Sequence, residues 1–268
     1  MHDALPFRLG IAGLGNIGAA LIAVCAEGRL PGFELVAVAG RNRQAIADRL
    51  QDMGCKASAV DLEALPEQVD VIVECLHPVP AVALIGQGLK AGRTVVALSA
   101  GALLLEPGLL TQAQTDPGRL IVPTGAILGL DVLRAAAVGR IDRVLVRTRK
   151  PPSSLAGAPG LAGTDLSKAT CVFAGNGNEA VRAFPQNVNV AATISLGGIG
   201  GDRTQVEIWA DPSVDSNIHE VEFNSDCCSV KMQIVNSPSS SNPRTSAITL
   251  NSLIAALQSL TANVRVGS

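Results

Sequence analysis

The chain has 268 residues, of which 47% are hydrophobic and 16% are charged, and its formal net charge is −2. This composition excludes a disordered chain, because it holds enough apolar residues to bury a sizeable core. The small net charge, the lack of a basic run and the 2% of aromatic residues exclude a nucleic-acid surface of cations and stacked rings. No apolar run reaches membrane-spanning length, so we expect no membrane partner.

The cysteines and histidines indicate the compartment and exclude a common class of metal site. The six cysteines show no C-x-x-C spacing, and residues 1–6 lack the basic and apolar pattern of a secretory signal. We therefore expect reduced thiols in a cytoplasmic protein. The three histidines, His2, His77 and His219, are too scattered for a standard zinc signature, so no metal is expected.

The first element along the chain is a glycine turn between a predicted buried strand at residues 9–12 and a predicted helix at 17–26. The turn has the pattern G-x-G-x-x-G, in which the first glycine allows a tight turn and the second lets a pyrophosphate approach the backbone. The third lets the helix pack closely on the strand, and the helix N-terminus offers N–H groups to phosphates. The alternative is a plain tight turn. The predicted dinucleotide-binding residues are Gly13, Gly15, Asn16, Ile17 and Gly18.

The second predicted strand, residues 33–39, ends in Gly40 rather than in an acidic residue. An acid at this point usually accepts a hydrogen bond from the ribose 2′-hydroxyl of NAD. Arg41 and Arg43 follow instead, where they could contact the 2′-phosphate of NADP. We therefore expect NADP to be preferred or at least matched by NAD. Two alternatives remain open: both arginines are solvated at a helix start, or Arg41 stacks on the adenine of either cofactor.

The rest of the first half continues to alternate strands with helices. Strands are predicted at residues 69–76, 94–98 and 120–122, with helices at 81–90 and 128–138. This alternation is typical of a Rossmann-type doubly wound parallel sheet. His77 follows one of these strands, at the edge where ligands bind, but it also lies beside two prolines and could be only a loop residue.

The pattern changes near residue 142. Strands are predicted at 144–147 and 170–174, then three antiparallel strands at 204–210, 217–223 and 229–235, and a final helix at 246–260. A loop rich in Gly, Pro and Ser, up to residue 163, is long enough for a mobile active-site flap. We expect three parts: a dinucleotide-binding domain at 1–123, an α/β (α+β) substrate and dimerisation domain at 124–243, and a C-terminal helix at 244–268 that packs on the first domain.

His219 is the best candidate for a proton-transferring residue. It interrupts an apolar strand, and alternation places Glu220 and Glu222 on the opposite face. A lone histidine in a strand is often structural, so both interpretations stay open. Lys150 and Arg244 are the cations that we assign to substrate carboxylates, with solvated surface positions as the alternative.

The sequence resembles the L-aspartate dehydrogenase family over nearly its whole length. Besides the glycine turn, the matching segments are Val73-Glu74-Cys75, Ser99-Ala100-Gly101-Ala102, Gly125-Ala126-Ile127, Arg149-Lys150-Pro151, Pro185-Gln186-Asn187-Val188-Asn189-Val190-Ala191-Ala192, Asp202-Arg203-Thr204, Ile218-His219-Glu220 and Asn242-Pro243-Arg244-Thr245-Ser246. The asparagine-rich and histidine segments together are specific. One departure is Leu76-His77-Pro78 after Glu74-Cys75, where members of the family carry an Ala-Gly-His type of sequence.

The resemblance implies an enzyme that interconverts L-aspartate with iminoaspartate, or with oxaloacetate and ammonia, using NAD or NADP. It also implies a homodimer and a place in amino-acid metabolism or NAD biosynthesis. His219 falls on the family's catalytic histidine, and Ala126 and Asn189 fall on its cofactor contacts. Asn187 is assigned to the substrate, although Asn187 and Asn189 could instead cap the following helix. The alternatives are a homoserine or dihydrodipicolinate type of oxidoreductase, or a non-catalytic NAD(P)H sensor.

Overall fold

The computed structural model describes residues 5–155, 161, 164–185, 188–239, 242–264 and 266. The chain divides into two compact units. Unit 1 comprises Met1–Pro123 and Leu250–Arg265, and unit 2 comprises Thr124–Thr249 and Val266–Ser268. Within the described residues, no helix is both long enough and apolar enough to cross a membrane.

Unit 1 contains a six-stranded parallel sheet whose strands alternate with helices. Its elements are β1 (Phe7–Ala12), α1 (Asn16–Ala26), β2 (Phe33–Ala39), α2 (Arg43–Asp52), β3 (Ser58–Val60), α3 (Leu65–Gln68), β4 (Val71–Glu74), α4 (Pro78–Lys90), β5 (Thr94–Ala97), α5 (Ala100–Leu105), α6 (Gly108–Thr115) and β6 (Arg119–Ile121). The strand order β3-β2-β1-β4-β5-β6 is that of a Rossmann dinucleotide-binding fold, which confirms the predicted fold class.

The strands of unit 1 are apolar because helices cover both of their faces. All four residues of β4 are buried, as are the last four of β1, so these strands show continuous apolar runs rather than alternation. The strand order reverses between β1 and β4, which leaves a crevice at their carboxyl ends. This crevice is where the glycine turn lies.

Unit 2 contains a five-stranded mixed sheet with short helices. Its elements are α7 (Leu130–Ala136), β7 (Ile141–Lys150), β8 (Thr170–Asn176), α8 (Gly177–Ala183), α9 (Asn189–Gly197), β9 (Thr204–Ala210), β10 (Ile218–Ser225), β11 (Ser229–Val235), β12 (Pro238–Ser239) and β13 (Asn242–Ser246). The last helix, α10 (Ala247–Thr261), belongs to unit 1 from Leu250 onwards. The order of the large sheet is β11-β10-β7-β9-β8, in which only β7 and β9 are parallel neighbours.

One strand pairing differs from the prediction. The sequence pattern at residues 204–210, 217–223 and 229–235 predicted three consecutive antiparallel strands, but β7 lies between β9 and β10. Strand β10 is antiparallel to β7 and to β11, whereas β9 runs parallel to β7. The long β7, which the sequence predicted only over residues 144–147, is therefore the central strand of this sheet.

The two faces of this sheet differ in chemistry. Along β10 the buried residues are His219, Val221 and Phe223, and they alternate with half-buried Glu220 and Glu222, as predicted. On the glutamate face, Arg147 of β7 donates to Glu207 at 2.7 Å and to Glu220 at 3.0 Å. Helices α8 and α9 pack on β9, so the opposite, buried face forms the core of unit 2.

The last helix adds to the core of unit 1. Leu253 and Leu257 of α10 are fully buried, and they belong to the same apolar cluster as Leu9, Leu21 and Val38. Their spacing of four residues places both on one face of the helix. A polar residue at either position would lose this burial, so the core of unit 1 requires an apolar face on α10.

Candidate active site

Two of the three glycines in the turn after β1 are required by the protein's own packing. Gly13 has a φ of 99°, and a Cβ atom there would lie 2.5 Å from the carbonyl oxygen of Cys75. A Cβ atom on Gly18 would overlap the carbonyl oxygen of Gly13. A side chain at position 13 would therefore push the turn away from the end of β4. A side chain at position 18 would push α1 away from the turn.

Gly15 has no such reason within the chain. Its φ of −78° and ψ of −164° suit any residue, and a Cβ atom there would meet no atom within 4 Å. Gly15 is also the N-cap of α1, and no side chain caps this helix. Gly15 and Asn16 are exposed at this N-terminus, whereas Ile17 is half-buried and Gly18 is buried. The exposed positive dipole end fits the pyrophosphate of a dinucleotide.

A cavity of about 690 Å³ adjoins this turn, which is large enough for part of a dinucleotide. Its lining residues come from the turn after β1, from the segment after β2 and the first two turns of α2, from Leu62 after β3, and from the end of β4 and the start of α4. They are Gly13, Leu14, Gly15, Gly40, Arg41, Asn42, Ala45, Ile46, Arg49, Leu62, Cys75, Leu76, His77 and Pro80. Among these lining residues none is Asp or Glu, so the cavity suits an anionic ligand.

The two arginines that follow β2 have different surroundings. Arg41 lines the cavity. Arg43 does not, because its Nε donates to the Ala59 carbonyl at 2.9 Å and its Nη1 lies 3.8 Å from Asp61. The second arginine at the cavity is Arg49, which the sequence analysis missed. Its position seven residues after Asn42, two helical turns along α2, could have indicated it.

A buried carboxylate connects the ends of β4 and β5 beside the cavity. Glu74 is fully buried and accepts hydrogen bonds from the N–H of Leu76 at 2.6 Å and the N–H of Ser99 at 3.0 Å. The Ser99 hydroxyl lies 2.9 Å from both Glu74 and the Leu76 carbonyl oxygen. Burial raises the pKa of Glu74, whereas these hydrogen bonds act to lower it. Glu74 thus holds the segment that presents Leu76 and His77 to the cavity.

His219 belongs to a buried polar group in unit 2. His219 of β10 is the register partner of Thr148 in β7, and His219 Nδ1 lies 2.9 Å from Thr148 Oγ1. Lys150 lies two residues further along β7, on the same face. The three residues are 4%, 5% and 6% exposed. The sequence pattern indicated His219 and Lys150 as site residues but gave no signal for Thr148.

Burial controls the charges of this group. It lowers the pKa of His219 to about 3, with a further contribution from the positive charge of Lys150. Burial also lowers the pKa of Lys150 to about 8. At neutral pH the imidazole is therefore neutral and the lysine is cationic. A neutral imidazole can accept a proton, and the imidazolium that forms can then donate it. The Thr148 hydroxyl can be donor or acceptor to Nδ1, according to the tautomer of the ring.

The remaining predicted site residues lie elsewhere in unit 2. The Ala126 carbonyl oxygen accepts a hydrogen bond from the amide of buried Asn236 at 3.1 Å. Asn189 is the exposed first residue of α9, one position after its N-cap, Val188. Arg244 belongs to β13. Asn187 lies outside the described residues, as does most of the segment predicted to be a flap, residues 156–160 and 162–163.

The Rossmann sheet, the open glycine turn and the cavity without acidic residues define a dinucleotide-dependent dehydrogenase. Residues 13–123 match the family model described as "Homoserine dehydrogenase, NAD binding domain", and residues 131–260 match "Aspartate dehydrogenase, C-terminal". The chain belongs to the L-aspartate dehydrogenase family, and it is an oxidoreductase that uses NAD or NADP.

Individual relatives cover both units. The chain is 42% identical to L-aspartate dehydrogenase 3 of Bordetella bronchiseptica, over 100% of both chains. It is 39% identical to the L-aspartate dehydrogenase of Bradyrhizobium diazoefficiens, over 97% of this chain and 94% of the relative. The crystal structure of the aspartate dehydrogenase of Thermotoga maritima is similar, with a TM-score of 0.75 and 29% identity over 97% of this chain and 99% of that one.

The glycine turn yields a prediction that separates binding from folding. Gly15→Ala places a methyl group in the space assigned to the pyrophosphate, so the dissociation constant of NAD(P)H should rise roughly tenfold or more at an unchanged melting temperature. Gly13→Ala should instead lower the melting temperature, because strain and overlap with Cys75 cost about 1–3 kcal/mol. Cofactor fluorescence titration and thermal unfolding measure the two effects. Equal loss of stability in both variants would contradict the assignment of Gly15.

Proposed function

We propose that this enzyme catalyses the NAD(P)-dependent oxidative deamination of L-aspartate to oxaloacetate and ammonia through iminoaspartate, and the reverse reductive amination. The buried group of His219, Thr148 and Lys150 supports this proposal most, because it combines a proton carrier with a cation suited to a carboxylate. The names of the full-length relatives support the same substrate.

The nicotinamide ring supplies the hydride acceptor, so the protein must orient the substrate and move protons. Hydride loss from the neutral amine of aspartate gives iminoaspartate and releases one proton. Addition of water to the imine carbon and expulsion of ammonia then give oxaloacetate. Water must lose a proton in this second step and the leaving nitrogen must gain one. A neutral His219 can do both in turn, because its pKa keeps it uncharged before the step.

Lys150 is proposed to bind a substrate carboxylate. An ammonium group that is buried and cationic below about pH 8 attracts an anion more strongly than a solvated lysine does. Asn187 and Arg244 are proposed as further substrate-binding residues, on the basis of the sequence resemblance. Ala126 and Asn189 are proposed cofactor contacts on the same basis. The other proposed cofactor contacts are Gly13, Gly15, Asn16, Ile17, Gly18 and Arg41.

The assembly and location of the enzyme are also proposals. The family resemblance supports a homodimer, and the six free cysteines support a cytoplasmic location. The reaction serves either aspartate synthesis or the supply of iminoaspartate to NAD biosynthesis, according to the direction in which it runs.

The substrate assignment is tested by the absorbance of the reduced cofactor. Oxaloacetate with ammonium should oxidise NADPH or NADH, whereas 2-oxoglutarate and pyruvate should be poor substrates. In the oxidative direction L-aspartate should reduce NADP or NAD, whereas homoserine should not. Turnover of 2-oxoglutarate at the same rate as oxaloacetate would contradict the proposed substrate.

Replacement of His219 tests its role in proton transfer. We expect His219→Gln to lower kcat by roughly a hundredfold, the usual contribution of a general acid–base group. Glutamine preserves hydrogen bonding and most of the volume, so the fold and the dissociation constant of NADPH should be retained. Added imidazole should partly restore the activity of His219→Ala. A near-normal kcat in His219→Gln would show that this histidine is structural.

The lowered pKa of Lys150 predicts that carboxylate binding depends on pH, and a ligand without an amine can measure this dependence. Succinate is a dicarboxylate that cannot be oxidised at an amine, and we expect it to compete with aspartate. As pH rises through about 8, Lys150 loses its proton, so the inhibition constant of succinate should rise, by at most about tenfold per pH unit. In Lys150→Arg the guanidinium stays protonated, and the rise should disappear. The same pH profile in both enzymes would exclude Lys150 as the carboxylate-binding cation.

A further inference from the structure

The segment between β2 and α2 determines what can bind at the outer end of the cavity. Ala39, the last residue of β2, is fully buried and is followed directly by Gly40. A Cβ atom on Gly40 would lie 2.8 Å from Cδ1 of Ile46, because α2 packs closely over the strand end. The strand end at which an acid would accept a hydrogen bond from the ribose 2′-hydroxyl therefore carries a glycine, and α2 packs against it.

Two arginines line the cavity: Arg41, between β2 and α2, and Arg49, within α2. Arg41 immediately precedes Asn42, the N-cap of α2, and Arg49 lies two helical turns further along the face of α2 that carries Ala45 and Ile46. Both arginines are exposed. In the part of the chain that the structure describes, neither guanidinium makes a hydrogen bond or an ion pair. Both are therefore available for a ligand.

We propose that Arg41 and Arg49 form a 2′-phosphate site and that this site makes the enzyme prefer NADP(H) to NAD(H). A phosphate ester carries roughly two negative charges, and a guanidinium can donate two parallel hydrogen bonds to its oxygens. No carboxylate among the described lining residues repels such a group. The proposal rests on the proposed dehydrogenase function only for the identity of the cofactor, so it can be tested by binding without any substrate.

Arg43 provides a matched control because it has the same chemistry in the same helix. Its side chain is occupied by the Ala59 carbonyl oxygen and lies near Asp61. It is not among the residues that line the cavity. Any effect of general surface charge on the binding of an anionic cofactor should be the same for Arg43 and Arg49, whereas of these two only Arg49 contacts the 2′-phosphate in the proposed site.

The experiment measures the dissociation constants of NADPH and NADH by titration calorimetry for the wild type, Arg49→Ala, Arg41→Ala and Arg43→Ala. The wild type should bind NADPH more tightly. Arg49→Ala should weaken NADPH roughly tenfold to a hundredfold, as expected for hydrogen bonds to a charged group, and leave NADH nearly unchanged. Arg43→Ala should change neither. The fragment 2′,5′-ADP should bind the wild type more tightly than 5′-AMP, and Arg49→Ala should abolish this difference.

Three results would overturn the whole proposal, and a fourth would remove Arg41 from the site. The three are tighter binding of NADH than of NADPH by the wild type, equal weakening of both cofactors in Arg49→Ala, and the same loss of NADPH affinity in Arg43→Ala as in Arg49→Ala. If Arg41→Ala weakens both cofactors equally while Arg49→Ala weakens NADPH alone, Arg41 stacks on adenine and the shared site is wrong. An enzyme that lacks activity with aspartate but retains the Arg49-dependent preference would contradict the proposed substrate and support this site.

Discussion

The close approach of two backbone segments, the turn after β1 and the end of β4, is the constraint on which the rest of unit 1 depends. Gly13 can adopt its positive φ against the Cys75 carbonyl only without a side chain. Gly18 brings α1 down onto the same turn. Because the parallel strand order reverses at this point, the turn lies in the crevice rather than over a neighbouring strand. Packing that the chain needs for its own folding thereby creates the N-terminus that receives phosphates.

Glu74 extends the same constraint to the next strand. A fully buried carboxyl is costly unless donors surround it, and here backbone N–H groups of Leu76 and Ser99 supply them. These bonds join the segment after β4 to the segment after β5. The position of Leu76 and His77 in the cavity wall is therefore set by a hydrogen-bonded group beneath them rather than by loop packing alone.

The sequence predicted the parts of this molecule whose signals are local. Continuous apolar runs and the glycine turn predicted the Rossmann sheet, and the exact bounds of β2, β9 and β11 followed from apolar runs and turn residues. Strand neighbours are not local, so the position of β7 between β9 and β10 was missed. The predicted strand ended at residue 147, so Thr148 was not expected to be the partner of His219.

The arginines show the same limit within a single helix. Position alone placed Arg43 at the cofactor, but the nearby carbonyl of Ala59 and the carboxylate of Asp61 attract its side chain. Both belong to the segment at β3, which was not predicted. Arg49 could have been found from the 3.6-residue period, because it shares a face with Ala45 and Ile46, but only once α2 was known to border a cavity.

The ionisable residues on the two faces of the large sheet in unit 2 are in different environments, and this difference explains why the buried face suits the proposed chemistry. On one face Arg147 pairs with Glu207 and Glu220, and its hydrogen bond lowers the pKa of Glu207, so these charges are already neutralised by partners and are poor proton carriers. On the other face burial itself suppresses the charged form of His219 and weakens that of Lys150. Burial keeps His219 neutral and able to accept a proton at neutral pH, and it leaves Lys150 cationic below about pH 8. Proton transfer and carboxylate binding therefore suit the buried face, although the other face holds more ionisable residues.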